Sequence, residues 1–330
     1  METVILNPTD LTRAVTALRE GQLVAFPTET VYGLGADGLS ASAVRKIFEA
    51  KGRPQDNPLI LHVLDQAGLE PLVQGTLPPA ARDLIEAFWP GPLTVVVPAR
   101  PLIPDVVRAG LDTVAVRAPD HPIARSLIAG LNRPIAAPSA NVSGRPSPTT
   151  AAAVEEDMRG RVPFIVDGGQ TRVGVESTVV DCTTSPVTLL RPGGLGVEML
   201  ASVVGEVQQA SGQGPVRAPG MKYRHYAPKA PVVWVQSHEV SKVAQVLDDL
   251  AREYGSIALL APEGFPPPPS GRAASLGDND VSAAHRLFQA IRALDEGTPG
   301  AIVVVWESDR GLGLAVRNRI EKAATVRVVP

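Results

Sequence analysis

Between Leu93 and Gly193 the chain carries six short apolar runs: "LTVVVPA", "TVAVRAP", "PIAAPSAN", "PFIVDGG", "STVVDCT" and "VTLLRPG". They are rich in β-branched residues and most stop at a proline or glycine. Runs of this length and chemistry predict buried strands. "QLVAFPT" and "PLILHV" add two earlier strands, and helical spacing appears only between some of the runs. "TDLTRAVTALREG" places Leu11, Val15 and Leu18 on one helical stripe, with Thr9 or Asp10 as cap and Gly21 as stop. "SASAVRKIFEAKG" predicts a second helix, capped by Ser40, with Val44, Ile47 and Phe48 inward and Gly52 at its end. "HPIARSLIAGL", "TTAAAVEEDM" and "GVEMLASVV" predict three more. Strands with helices between some of them predict one mixed α/β domain, about two hundred residues long.

After that sheet the pattern changes. "QQASGQGPVRAPGMKYRHYAPKAP" is rich in glycine and proline and lacks periodicity, which reads as a linker. Strand and helix then alternate from "PVVWVQ" to "VRVVP", which predicts a small three-layer domain on a parallel sheet. The expected division is 1–205, a linker over 206–230, and 231–330. "PEGFPPPPSGR" inside the last part reads as a rigid spacer.

Composition narrows the function. The net charge is −3, so an anion site must be local and not a global basic surface. Aromatic residues at 4% argue against a base-stacking platform. Cys182 is the sole cysteine and reads as a small buried hydrophobe; with five scattered histidines, no zinc-ligand spacing exists. The first residues, "METVILNPTDLTRAV", lack a basic start and a long apolar core, and no apolar run reaches membrane-span length. A cytoplasmic protein without a membrane partner is expected.

Chemistry-bearing residues gather at strand ends. Lys51 and Arg53 follow a helix C-terminus, where cations either offset the dipole or face a ligand. Gly52, Pro54 and Pro58 make their loop stiff, which would preorganise the pair for a polyanion; Arg53 could grip phosphate oxygens bidentately and Asn57 could add a donor. His62 sits in an apolar strand and is either a satisfied core residue or a functional one. The Thr28–Glu29–Thr30 turn and the glycines of "YGLG" are each ambiguous, as turn caps and as a glycine loop. "APSANVSGRPSPT" follows a strand with Ser139, Asn141, Ser143, Arg145 and Ser147, the composition of a ligand rim or of a capped loop. Arg117 interrupts an apolar strand, so it must meet an internal carboxylate or a ligand anion. Ser177 and Arg191 repeat the pattern. The set is cationic and hydroxyl-rich, suited to a small ligand with phosphates or carboxylates, and contains no nucleophile–base pair.

"PTETVYGLG", "KGRPQDNPLILHV", "PSANVSGRPSPT", "GVESTVVD" and "APGMKYRHYAP" together resemble the motifs of the YrdC/Sua5 family, the L-threonylcarbamoyladenylate synthases. The resemblance extends over essentially the whole chain. It implies a twisted mixed sheet around a concave basic cleft, followed by a Rossmann-like Sua5 domain. It implies the joining of L-threonine, bicarbonate and ATP into threonylcarbamoyl-AMP with release of pyrophosphate, for N6-threonylcarbamoyladenosine in tRNA. The matching positions are Thr30, His62, Arg117, Ala137 and Ser177 for threonine. For ATP they are Arg53, Asn57, Thr113, Ser139, Ser147, Arg191 and, in the linker, Tyr226, with Lys222 and His225 beside it. Lys51, Arg53, Ser139 and Asn141 match a basic-polar quartet that handles nucleotide and bicarbonate. Mg²⁺ is expected to travel with ATP and no protein-held metal is expected. The implied partner is a downstream tRNA threonylcarbamoyl transferase; direct tRNA contact is left open, as is whether the linker is a lid over the site or a passive spacer. A non-enzymatic RNA-binding module and a carbamoyl-transfer enzyme of related fold are the alternatives.

Overall fold

Runs of β-branched residues that end at proline or glycine do form the strands, and two sheets result. The structure, a computed structural model, describes residues 1–210, 225–237 and 239–330. Lys222 and most of the linker read from the sequence lie outside the described residues. The chain divides into two compact units; the second takes the C-terminal part together with Gly144–Pro146 and Val173–Val175.

In the first unit the described strands are Val4–Leu6 (β1), Val24–Phe26 (β2), Gly33–Asp37 (β3), Ile60–His62 (β4), Leu93–Pro98 (β5), Thr113–Arg117 (β6), Ile135–Ala136 (β7), Phe164–Val166 (β8), Thr178–Asp181 (β9), Val187–Arg191 (β10) and Val207–Gln209 (β11). They pair in the order β1-β8-β2-β3-β7-β4-β6-β5-β9-β10-β11, with parallel and antiparallel neighbours. β1 and β11 are three-residue edge strands that the sequence pattern does not predict; β11 falls within the stretch read as linker.

The helix Leu11–Arg19 (α1) follows Asp10, which occupies the cap position without a side-chain bond. Thr9 instead hydrogen-bonds to Asn7. The helix Ala41–Lys51 (α2) is capped as expected: Ser40 accepts from the Ala43 amide and Gly52 turns left-handed at φ 60°. Gly33 and Gly35 of "YGLG" lie in strand β3 and not in a glycine loop. A Cβ on Gly35 would stand 2.6 Å from Phe26 and 2.8 Å from Ile135, so glycine lets neighbouring side chains cross the strand. Gly35→Ala is expected to destabilise the fold by about 1–3 kcal/mol, read by urea unfolding.

Strand alternation gives the two faces different work. Leu61, Val116, Val95, Val97 and Val180 point into the main core with Val44, Ile47 and Phe48 of α2 and Leu84 and Ile85 of the helix Pro79–Phe88. On the opposite face α1 and the helix Pro122–Leu131 pack over Val24, Phe26, Ile135 and Val166, on β2, β7 and β8. The same face continues onto β4, β6, β5 and β9, where its apolar part shrinks to Ile60, Ala115, Val96 and Val179.

The second unit holds Val232–Val235 (β12), Ile257–Ala261 (β13), Ala273–Ser275 (β14), Ala301–Val305 (β15) and Val326–Val328 (β16), all parallel, in the order β14-β13-β15-β12-β16. Helices Val240–Tyr254, Asp280–Asp295 and Gly311–Ala323 connect them. This is the parallel-sheet domain that the alternating pattern predicts, and the Rossmann-like domain that the family resemblance implies. Among the described residues no helix is long and apolar enough to cross a membrane.

Candidate active site

Register brings the site together. His62 pairs with Arg117 across β4 and β6, and Thr94 pairs with Arg117 across β5 and β6. Residues directly opposite on adjacent strands share a face, so these three form a row. The row lies on the face opposite the main core, beside the small cluster of Ile60, Ala115, Val96 and Val179.

Arg117 is 4% exposed, and its guanidinium is surrounded by named partners. Nη1 donates to Thr30 Oγ1 at 2.9 Å and Nε to the Gly91 carbonyl at 3.2 Å. Nη2 lies 2.7 Å from Oε1 of Glu29, which is 1% exposed. Of the two partners left open by the sequence, the internal carboxylate is therefore present. Thr28 Oγ1 donates to the Val31 carbonyl at 2.6 Å, so the 2.8 Å bond between Thr28 and Thr30 takes its proton from Thr30. Thr30 thus donates to Thr28 and accepts from Arg117. Tyr32, at the end of this turn, donates to the Gly169 carbonyl at 2.7 Å, and burial pushes its hydroxyl pKa up to about 12. The segment is a fixed buried turn in which the threonine and tyrosine hydroxyls all have partners.

His62 is fully desolvated. Burial, then the positive charge of Arg117, lowers its pKa to about 3, so the ring is neutral at ordinary pH. Nδ1 lies 3.3 Å from the Ile135 carbonyl, which assigns the proton to Nδ1 and leaves Nε2 as an acceptor. Phe26 meets the ring edge-on at 6.4 Å. The pH consequence has a definite sign. An unfolded chain protonates His62 near pH 6.5, whereas the folded chain resists down to about 3. Its contribution is complete above pH 6.5 and is lost as pH falls, by up to about 1.4 kcal/mol per unit. Comparing urea unfolding of the wild type and His62→Asn at about pH 7.5 and about pH 5.5 should show a steeper acid loss in the wild type.

Ser177 lies just before β9. Its hydroxyl shares a 2.8 Å bond with Thr94 and accepts from Arg191 Nη2 at 3.1 Å, while Nε and Nη2 of Arg191 also donate to the Ser177 carbonyl. Arg191, at the end of β10, therefore clasps the Ser177 backbone. Gly193 presses on the same place: a Cβ there would meet Ser177 C, Glu176 O and Thr178 N at 2.3–2.4 Å. All three are backbone atoms with nowhere to move, so Gly193→Ala is expected to displace Ser177 and cut ligand affinity more than tenfold, read by calorimetric titration.

Lys51, Arg53 and Asn57 lie at and just after the end of α2. Lys51, which the sequence leaves as either offsetting the helix dipole or facing a ligand, is 1% exposed. Its Nζ donates to the carbonyls of Ser139, at 2.6 Å, and Asn141, and its own carbonyl accepts from the Ser143 amide. Burial and the neighbouring Arg53 hold its pKa well below the usual lysine value. Arg53 Nη2 donates to the carbonyls of Pro58 at 3.1 Å and Asn57 at 3.4 Å, folding the Arg53–Pro58 loop on itself. Asn57 is buried. Ser139 pairs with Gly33 by an isolated bridge, and Ala140 donates to the Tyr32 carbonyl, which joins this loop to the Thr28–Tyr32 turn. Ala137 spends its amide on Ile60. Ser147 donates to Glu176, and Thr113 begins β6, about 13 Å from Arg117 on the same face. A chain of contacts thus ties Arg53, Lys51, Ser139, Thr30, His62, Arg117, Ser177 and Arg191 to one region of the first unit. Tyr226 lies in the second unit, at φ 64°, with its ring 5.2 Å from Phe288 and the Arg319 guanidinium 5.5 Å above it. Glu29, Thr94 and Glu176 are the members that sequence reasoning missed. Glu29 sits inside the "PTETVYGLG" motif, but a carboxylate between two threonines looks like a turn residue until Arg117 is brought beside it.

A sequence model of the Sua5_yciO_yrdC family, described as "Telomere recombination", matches residues 16–193. The chain belongs to the Sua5/YciO/YrdC family. A second model, the C-terminal domain of threonylcarbamoyl-AMP synthase, matches residues 195–325. The threonylcarbamoyl-AMP synthase of Pyrococcus abyssi is 47% identical over 94% of this chain and 93% of its own length. That of Bacillus subtilis is 43% identical over 98% and 95%. The crystal structure of P. abyssi Sua5 complexed with L-threonine superposes with a TM-score of 0.93 at 43% identity, covering 99% of this chain and all of that one. Escherichia coli YciO, at 21% identity and a TM-score of 0.53, shares the fold over 58% of the chain. The row of His62, Arg117 and Thr94 is thus carried on a Sua5-family sheet, and the Rossmann-like unit is the Sua5 C-terminal domain.

Proposed function

We infer that the chain is a threonylcarbamoyl-AMP synthase. It joins L-threonine, bicarbonate and ATP and releases pyrophosphate, making the carbamoyl donor for tRNA threonylcarbamoylation. The observation that carries this reading is the buried row of His62, Arg117 and Thr94, with Thr30 and Ser177 bonded to it, in a chain alike over more than nine-tenths of its length to relatives of that name. A guanidinium with fixed orientation suits the amino-acid carboxylate, and the neutral His62 Nε2 suits the threonine hydroxyl as donor. Ser177 and the backbone near Ala137 complete the amino-acid side. Arg53, Asn57, Thr113, Ser139, Ser147 and Arg191 serve ATP, with Tyr226 as a further contact from the linker. Lys51 and Asn141 shape the loop that presents Ser139.

The chemistry needs position and charge more than a protein nucleophile. The threonine amine takes up bicarbonate, losing water, to give a carbamate. A carbamate oxygen then attacks the α-phosphorus, and the bond to pyrophosphate breaks with its electrons leaving on the pyrophosphate oxygen. Arginine side chains hold phosphate charge in a water-poor site, where it counts most. Mg²⁺ enters with the nucleotide, held by phosphate oxygens and water. Among the described residues no group of His, Cys, Asp and Glu clusters to hold a metal. We assign catalysis to 1–205 and treat 206–230 as the connection to the Sua5 domain of 231–330. The product is consumed by a separate tRNA threonylcarbamoyl transferase in the cytoplasm.

The test is incubation of the purified protein with ATP, labelled bicarbonate and L-threonine. A labelled adenylate whose mass includes threonine, formed only with all three and matched by pyrophosphate, is expected. Pyrophosphate release that ignores threonine would refute the reading, as would salt-sensitive RNA binding with no adenylate.

A further inference from the structure

We propose that Glu29 is a substrate-binding residue, the receptor for the ammonium group of the amino acid whose carboxylate Arg117 takes. The proposal rests on the threonine reading above and deepens it. The structural reason is an ion pair that is close but poorly satisfied. Oε1 of Glu29 lies 2.7 Å from Nη2 of Arg117, yet neither Glu29 oxygen, nor Nη2, makes a directed hydrogen bond among the described residues. Both side chains are almost completely buried, at 1% and 4% exposure. A buried ion pair is favourable only when good geometry and further hydrogen bonds satisfy both partners. A carboxylate offers about four lone-pair positions, and here Arg117 engages one oxygen only.

The groups hydrogen-bonded to Arg117 are already committed, and His121, which feels the charge of Glu29, accepts the Ile123 amide at Nδ1. Nη1 and Nε of Arg117 are bonded to Thr30 and Gly91, which fixes the plane of the guanidinium. Thr28 spends its proton on the Val31 carbonyl and Thr30 spends its own on Thr28. His62, facing Arg117 from β4, is neutral and brings no charge to the row. What remains uncommitted is one anionic and one cationic group side by side, with no net charge.

An α-amino acid is the complementary object. It carries a carboxylate and an ammonium on one carbon and is itself neutral overall. Inserted at the pair, its carboxylate supplies the acceptor that Nη2 lacks, and its ammonium supplies up to three donors to Glu29. The burial cost of the two protein charges is already met by the fold, so the ligand need only replace a misaligned contact with directed ones. A carboxylic acid lacking the amine satisfies Arg117 but leaves Glu29 no donor.

The experiment is calorimetric titration of the full-length protein with L-threonine and with (2S,3R)-2,3-dihydroxybutanoate, which replaces the amine by hydroxyl. Wild type is expected to bind threonine more tightly by roughly 30-fold or more, and Glu29→Gln to lose most of that preference by weakening threonine alone. A Glu29 that merely steadies Arg117 would, when changed, weaken both ligands equally and leave the preference intact; that result overturns the proposal. Should Glu29→Gln not fold, the wild-type comparison decides by itself, because equal affinity for the two ligands also overturns it. Wild type that binds neither ligand would instead overturn the threonine reading on which the proposal stands.

Discussion

Arg117→Met is expected to lose threonine binding altogether and about 3–5 kcal/mol of stability, because it leaves the Glu29 carboxylate buried without its cation. The two losses have different causes and can be separated. Adding Glu29→Gln to Arg117→Met removes the stranded charge and should restore a large part of the stability. It should not restore binding, since the guanidinium is gone. Urea unfolding and threonine titration on the two single variants and the double variant measure both. Nucleotide affinity should change little in any of them, because Arg53 is held by the Asn57 and Pro58 carbonyls and the Ser139 loop by Lys51. A double variant no more stable than Arg117→Met would contradict the buried-pair account.

Lys51→Met should act through the loop it holds. The ammonium satisfies the Ser139 and Asn141 carbonyls from a buried position. Methionine fills the space without a donor, leaving two carbonyls unpaired at a cost of about 2–4 kcal/mol, offset in part because no charge need then be buried. The loop of Ser139, Asn141 and Ser143 should loosen, so ATP affinity should fall more than threonine affinity. A direct phosphate contact by Lys51 would give a different pattern: weaker ATP binding with unchanged stability. Unfolding curves beside nucleotide titration distinguish the two roles.

The strands were legible because almost every one is a short β-branched run between turn residues, as in "LTVVVPA" and "VTLLRPG". β1, β11 and β14 were not, since three residues at a sheet edge carry too little pattern to stand out from neighbouring loops, and neither was β3, whose two glycines read as a turn. Most polar residues of the site were visible as donors at strand ends. Their roles were not, because the roles depend on register. Nothing local to Arg117 says that His62 and Thr94 stand opposite it, and nothing local to Glu29 says that Arg117 does. Lys51 shows the same limit in the other direction. A lysine after a helix reads as solvated or ligand-facing, and only the return of the Ser139–Asn141 loop over it makes it a buried staple.

Amino acid and nucleotide should meet on one face of the large sheet, with Arg117 at the carboxylate and His62 at the hydroxyl. A crystal structure of the protein with L-threonine and a non-hydrolysable ATP analogue tests this most directly. Threonine is predicted over the row of His62, Arg117 and Thr94, beside Ser177, with its amine towards the α-phosphate. Threonine seated elsewhere, or in that row but with its amine turned away from the nucleotide, would contradict it.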